Sequence, residues 1–305
     1  MTKIFTLNEI KSVIKNNDFF VIKDYFFSSR SEKGIIFYLL LYEMRTYNLE
    51  SIFYESRKLE LPAPCYYTIE QHKAIPYIHL SATLNKYGIN ILTLMYQDNS
   101  ATFKKIIQNL GTLHVHKEKD SFIWDIKLSK KNKTHQHLGR SHKDYEFPFH
   151  TDCSYEENIP DYFALYVLYA DQKSGGKNLI IDAKLLIDAL SEESLTVLQN
   201  SPITIKVPKE FFKGIDSIRA CIIDENFNIR YRHEIIDFYG LTIKQLTAIK
   251  ELEDLIYSAK FCRGLLLKNN QILILNNKKF LHARTQIKDP MRHLKRIRFF
   301  LHPSY

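Results

Sequence analysis

A chain of 305 residues with 45% hydrophobic and 25% charged residues can bury a sizeable core, which excludes an intrinsically disordered protein. Four cysteines without a C-x-x-C pair exclude a zinc finger or a disulfide scaffold, so reduced thiols and a cytoplasmic setting are expected. The net charge of +9 suggests an acidic partner such as nucleic acid, an anionic carrier domain or a membrane surface, but the lysines are scattered along the chain and the charge alone decides nothing.

MTKIFTLNEIKSVIKNNDFF carries no long apolar run, and no stretch approaches ~20 uninterrupted apolar residues, so neither a signal peptide nor a membrane span is expected. One domain over 1–305 is the expectation. Helical periodicity over 7–15 and 34–47, joined by the strand-like FFVIKDY, predicts a helix-rich scaffold over 1–111. A proline-punctuated loop covers 61–64, and the segments 78–84 and 91–97 each precede a helix ending near Leu110 and Gly111.

From Thr112 the texture changes to short β-rich runs: LHVHKE, FIWDIKL, FALYVLYA, NLIIDA, ITIKVP, CIIDE, NIRYR, QILILNN and RIRFFL. This series suits a sandwich or jelly roll over 112–305. Helices are expected over 183–199, where Ser191 is a candidate cap, and over 242–258. The fold class is α+β with a mostly β core and flanking helices. The Lys-, His-, Asn- and Gln-rich stretch 127–143 reads as a loop.

In EFPFHTDCSYEENIP, His150 and Asp152 lie two apart, and in a strand such residues share a face. A histidine from a distant strand would complete a two-histidine, one-carboxylate facial triad, a set that favours Fe(II) and leaves positions open. H-x-D alone arises often by chance, and with 12 histidines present a structural role for an isolated His150 would be the better reading. His282 supplies the partner, standing in QILILNNKKFLHARTQ just beyond an apolar strand and an Asn-Asn turn. Arg292 and Arg296 follow in MRHLKRIRFFL, and an arginine at the base of a barrel can pair bidentately with a dicarboxylate.

The order FHTD, GGKN, LHART and R-x-x-x-R resembles the taurine-dioxygenase-like (TauD/TfdA) family of Fe(II)/2-oxoglutarate-dependent oxygenases, over about 121–300. The resemblance implies a double-stranded β-helix with Fe(II) bound by His150, Asp152 and His282. It implies that 2-oxoglutarate is the co-substrate, its distal carboxylate on Arg292, with Arg296 close by and facing co-substrate or substrate. Where the family often has a threonine touching 2-oxoglutarate, this chain has Asn178, whose amide can still donate a hydrogen bond. Halogenating relatives lack the carboxylate that Asp152 supplies, so O2-dependent hydroxylation, with release of succinate and CO2, is the implied outcome. Desaturation, cyclisation or epimerisation at the same iron site stays open.

The implied substrate is a small molecule, amino-acid-derived or carrier-bound; the oligomeric state is left open. Glu156 and Glu157 could hold an amine, although a solvated turn before Pro160 explains them equally well. A non-catalytic nucleic-acid-binding protein using the 127–143 loop is the alternative of another class, disfavoured because that loop lacks interleaved aromatics. The pairs His114/His116 and His135/His137 read as a strand face and a solvated loop, and His142 receives no role. Arg284 and Trp124 read as structural, and Cys153 as a packing residue on the face opposite Asp152.

Overall fold

A strand that is apolar on both faces belongs between two layers, and the run Ile272 to Leu275 is buried throughout. Ile272 and Ile274 pack to one side with Leu80, Leu84, Phe103 and Ile107, while Leu273 and Leu275 pack to the other with Ile89, Ile91, Phe163 and Ile180. The computed structural model describes residues 47–115, 122–128 and 139–303. All of these except Tyr47 belong to the unit Asn48–Tyr305.

In chain order the described elements begin with α1 (Leu49–Glu55), β1 (Arg57–Lys58), β2 (Tyr66–Ile69), α2 (Tyr77–Tyr87), β3 (Ile89–Leu94), α3 (Ala101–Leu110) and β4 (Gly111–Leu113). There follow β5 (Trp124–Lys127), β6 (Phe147–His150), β7 (Tyr162–Tyr169), β8 (Asn178–Asp182), α4 (Ala183–Ile187), α5 (Glu192–Asn200), β9 (Ile203–Lys206) and β10 (Ser217–Ala220). The series closes with α6 (Ile243–Ile256), β11 (Arg263–Leu265), β12 (Gln271–Asn276), β13 (Phe280–Arg284) and β14 (His293–Leu301).

The larger sheet runs β2-β3-β12-β7-β14-β4, with β5 also on β14, and the smaller runs β1-β11-β8-β13-β6. Helices α2 and α3 cover the outer face of the larger sheet, packing Leu80, Leu84, Phe103, Ile106, Ile107 and Leu110 over the outward residues of β7, β12 and β14. This is the expected jelly-roll arrangement of an α+β fold with a mostly β core. No helix among the described residues is long and apolar enough to cross a membrane.

The expected helices at 7–15 and 34–47 and the strand at FFVIKDY lie outside the described residues. The core begins ahead of Thr112, because β2 and β3 already belong to the larger sheet and β3 pairs with its central strand β12. CIIDE and NIRYR form isolated bridges, Ile223 to Ile229 and Arg232 to His150, rather than strands. The helix expected over 183–199 is two helices, divided where Ser191 caps α5 by accepting from the Ser194 amide at 3.3 Å. Helix α6 carries a capping box between Thr242 and Gln245.

Gly111 turns α3 directly into β4 with an extended backbone, and a Cβ there would stand 2.1 Å from the Phe300 carbonyl oxygen and 2.6 Å from the Phe299 ring. Backbone cannot move aside as a side-chain tip can. Gly111→Ala should therefore destabilise the fold by roughly 1–3 kcal/mol. Thermal melting checks this, and an unchanged midpoint would show that the β4–β14 edge yields freely.

Candidate metal centre

His150 is the last residue of β6 and His282 the middle residue of β13, and the antiparallel register sets them opposite each other. Aromatic packing fixes both rings. His150 stacks on Phe147 with centroids 3.8 Å apart, and His282 lies 4.2 Å from His150 and 4.3 Å from Phe163. The His150 Nδ1–H donates to the Pro148 carbonyl at 2.8 Å, so its lone pair falls on Nε2, which is buried and has no partner.

Asp152 reaches the site by a different route from the one its spacing suggested. Strand β6 ends at His150, so Asp152 lies in the following turn and strand alternation does not place it. Asn277, fully buried just after β12, holds it instead. Its Oδ1 accepts from the Asp152 amide at 2.7 Å, and its Nδ2 donates to the carbonyls of Asp152 at 2.8 Å and Pro160 at 3.1 Å. Cys153 follows in the left-handed region at φ 57°, buried as expected but in a turn rather than on a strand face.

The carboxylate of Asp152 meets two guanidiniums from β14, Arg296 Nη1 on Oδ1 at 3.1 Å and Arg298 Nε on Oδ2 at 2.7 Å. Burial pushes the carboxyl up, but these arginines more than offset it and hold it well below the usual carboxylate range. Burial and the neighbouring His282 hold His150 well below the usual imidazole value, and burial lowers His282 to about 4. At neutral pH the cluster is thus two uncharged imidazoles and one ionised carboxylate.

His150, Asp152 and His282 each offer a ligand atom within 4.8 Å of the others, and His150 Nε2 stands 3.8 Å from Asp152 Oδ1. Adjacent ligands of a divalent transition ion with bonds of about 2.1 Å lie roughly 3 Å apart, a small rotamer adjustment away. The buried, unpartnered His150 Nε2 and His282 Nδ1 add the donor atoms such an ion needs. The residues fit a divalent metal.

The cavity beside the histidines is lined by Asn178, Arg292 and Arg296 together with Phe163 and Leu294. Arg292 is buried, its Nη1 has no partner, and burial lowers its guanidinium only to about 10, so it stays protonated. A buried cation with an unused donor is a seat for an anion. Asn178 opens β8 directly across from Arg284 in β13.

Leu294, Arg296 and Arg298 alternate along one side of β14, Leu294 and Arg296 lining the cavity with Arg292 just ahead of the strand, while Ile297 and Phe299 pack beneath the helices. Sequence reasoning missed Arg298, although the R-I-R spacing places it on the same face as Arg296. It also missed Asn277, which offered no local signal beyond its turn.

Arg284 donates to the carbonyls of Lys143, Tyr145 and Thr285, a structural duty consistent with the sequence reading. The His142 Nδ1–H donates to the Lys127 carbonyl at 3.2 Å, and the ring lies 5.3 Å from the Trp124 ring. The Glu156 carboxylate is engaged by His114 at 2.7 Å and Lys213 at 3.4 Å. His116, His135 and His137 lie outside the described residues, as does most of the 127–143 loop.

Asn277→Ala would leave the Asp152 amide and two carbonyls unpaired in a dry interior. Expected consequences are a loss of roughly 2–4 kcal/mol of stability and a weakening of Co(II) binding by about 10- to 100-fold. Metal titration followed by absorbance checks the second; an unchanged affinity would mean that the turn holds Asp152 without the amide clamp.

No curated protein matches this chain. Among solved structures it is similar to asparagine oxygenase in complex with Fe(II), 2S,3S-3-hydroxyasparagine and succinate, at 15% identity and a TM-score of 0.60, covering 73% of this chain and 78% of that one. It is similar to AAD-2 in complex with Mn(II) and N-oxalylglycine at 14% identity and a TM-score of 0.60, covering 82% and 98%. Non-heme iron oxygenase OrfP in complex with Fe, succinate and (3S)-hydroxy-L-Arg matches at 12% identity and a TM-score of 0.57, covering 72% and 78%. At such identities these likenesses speak for the fold. The family described as taurine catabolism dioxygenase TauD, TfdA matches residues 79–298, more than half of the chain. The chain therefore belongs to the TauD/TfdA family and is an Fe(II)- and 2-oxoglutarate-dependent oxygenase.

Proposed function

We propose that His150, Asp152 and His282 hold the Fe(II), that Arg292 takes the distal carboxylate of 2-oxoglutarate, and that the enzyme hydroxylates a small amino-acid-derived or carrier-tethered substrate. The observation that carries the metal assignment is the convergence of two uncharged imidazoles and an ionised carboxylate within 4.8 Å, beside a buried guanidinium with a free donor. Bound there, Fe(II) with 2-oxoglutarate and O2 would supply the oxidation, the co-substrate leaving as succinate and CO2.

The chain's own groups bind and orient. The Pro148 carbonyl fixes the His150 tautomer, Arg296 and Arg298 keep Asp152 ionised, and Phe147 and Phe163 wall the imidazoles from water. Arg292 fixes one end of the dicarboxylate, with Asn178 and Arg296 lining the same cavity to orient the remainder. Hydroxylation of an amino acid is supported by the hydroxyasparagine and hydroxy-arginine named with two of the similar structures. Glu156, already engaged by His114 and Lys213, is not the carboxylate that reads a substrate amine.

Purified protein given Fe(II), ascorbate and 2-oxoglutarate should release succinate, slowly without substrate, and Asp152→Ala should release none above background. Equal turnover by both would refute the metal assignment. Arg292→Gln should raise the KM for 2-oxoglutarate by about 100-fold or more, as expected on removing one partner of a buried charged pair; an unchanged KM would move the anchor elsewhere. Product mass separates hydroxylation from desaturation, cyclisation and epimerisation.

A further inference from the structure

We infer that Asp171, outside the metal cluster and its cavity, is the positioning residue for Arg292, clasping the loop that presents this guanidinium. The inference rests on the reading of Arg292 as the co-substrate anchor. Asp171 Oδ1 accepts from the amides of Lys173 at 2.8 Å and Gly175 at 3.1 Å, and Oδ2 from the amides of Lys288 at 2.7 Å and Asp289 at 2.9 Å. One carboxylate thus joins the turn before β8 to the turn before β14. Four amide donors are more than a neutral side chain can satisfy, because a carboxylate accepts on both oxygens whereas a carboxamide accepts on one.

The clasp continues to the guanidinium. Asp289 accepts from the amides of Gln172 at 3.2 Å and Met291 at 2.9 Å, and its carbonyl accepts from the Arg292 amide at 3.1 Å. The Gly176 amide donates to the Gln286 carbonyl at 2.7 Å. Both glycines of GGKN are required by this contact. A Cβ on Gly175 would stand 2.5 Å from Asp171 Oδ2 and 2.5 Å from the Lys288 nitrogen. Gly176 has φ +59°, and a Cβ there would lie 2.8 Å from Arg292 Nε, so its bare backbone walls the guanidinium. In Asp171→Asn the carboxamide NH2 would face two of the backbone N–H groups, opening one half of the clasp and freeing Arg292 to drift.

The test uses the full chain loaded with Mn(II), comparing wild type, Asp171→Asn, Arg292→Gln and the double variant by calorimetric titration of 2-oxoglutarate. Asp171→Asn should weaken 2-oxoglutarate binding by roughly 10- to 100-fold. Mn(II) affinity should stay within about twofold, and the loss should largely vanish in the Arg292→Gln background. Full additivity in the double variant, or parallel losses of Mn(II) and 2-oxoglutarate affinity, would overturn the inference in favour of a general structural role. A wild type that binds Mn(II) but no 2-oxoglutarate would instead defeat the reading of the anchor. The clasp is then judged by hydrogen exchange at the amides of Lys288, Asp289 and Arg292. Exchange at least about tenfold faster in Asp171→Asn, with the core strands still protected, supports it; unchanged exchange overturns it.

Discussion

An ionised carboxylate sits in a dry interior at Asp152, and the rest of the site is arranged around keeping it there. Burying an isolated charge costs several kcal/mol even after relaxation, so the site must supply opposite charge and hydrogen bonds at close range. Arg296 and Arg298 supply both. Their demand shapes the larger sheet: where β7 and β12 turn Phe163, Leu273 and Leu275 inward, β14 turns Arg296 inward beyond Leu294 and sets Ile297 and Phe299 under the helices outside. Arg298, closer to the carboxylate, is pushed up against the opposing effect of its own burial, while Arg296 is lowered by burial to about 10. Both stay charged, and the carboxylate stays ionised.

Strand β13 and its flanks carry most of the remaining geometry. Asn277 ahead of it holds the Asp152 backbone, and His282 within it pairs with His150 on one side and Ile180 on the other. Thr285 after it exchanges hydrogen bonds with Lys177, and the next turn delivers Arg292. Lys177 in turn is buried against Glu50 and Tyr54 of α1, tying the GGKN segment to a helix on the far side. His282, the Asn277 clamp and Arg292 therefore share one stretch of chain, and a displacement of β13 would be felt at all of them.

The convergence of His150, Asp152 and His282, with Arg292 in the adjoining cavity, was legible because each stands in a short motif next to an apolar strand, and because ligand chemistry restricts residue types so strongly. The jelly roll was legible from the alternation of strands with turns. Asp152 was found for a reason that does not hold: the two-residue spacing pointed to a strand, whereas a turn held by Asn277 supplies the geometry. Asn277 and the far half of the Asp171 clasp were not legible, since those partners are backbone groups more than a hundred residues away and backbone groups carry no sequence signature. The division of 183–199 into two helices escaped notice because a capping serine reads alike at the start of a helix and at a break within one. The boundary at Thr112 failed because β3 is as apolar as a helix core, and length alone separates the two patterns.

The segment beyond Asp152 extends the same logic toward the surface. Cys153 reverses the backbone at φ 57°, which lets Asp152 face the arginines of β14 while Tyr155 stacks on Phe211 at 5.1 Å. Arg230 gathers the carbonyls of Ser154, Glu156 and Glu157, and Glu156 is gripped by His114 and Lys213. Three carbonyls and the Glu156 carboxylate of the segment are thereby committed to holding its path. A stretch fastened by its carbonyls and carboxylate at one end, and by the arginine-held carboxylate of Asp152 at the other, is a strap. The 207–216 turn, which carries Phe211 and Lys213, meets this strap at Tyr155 and Glu156.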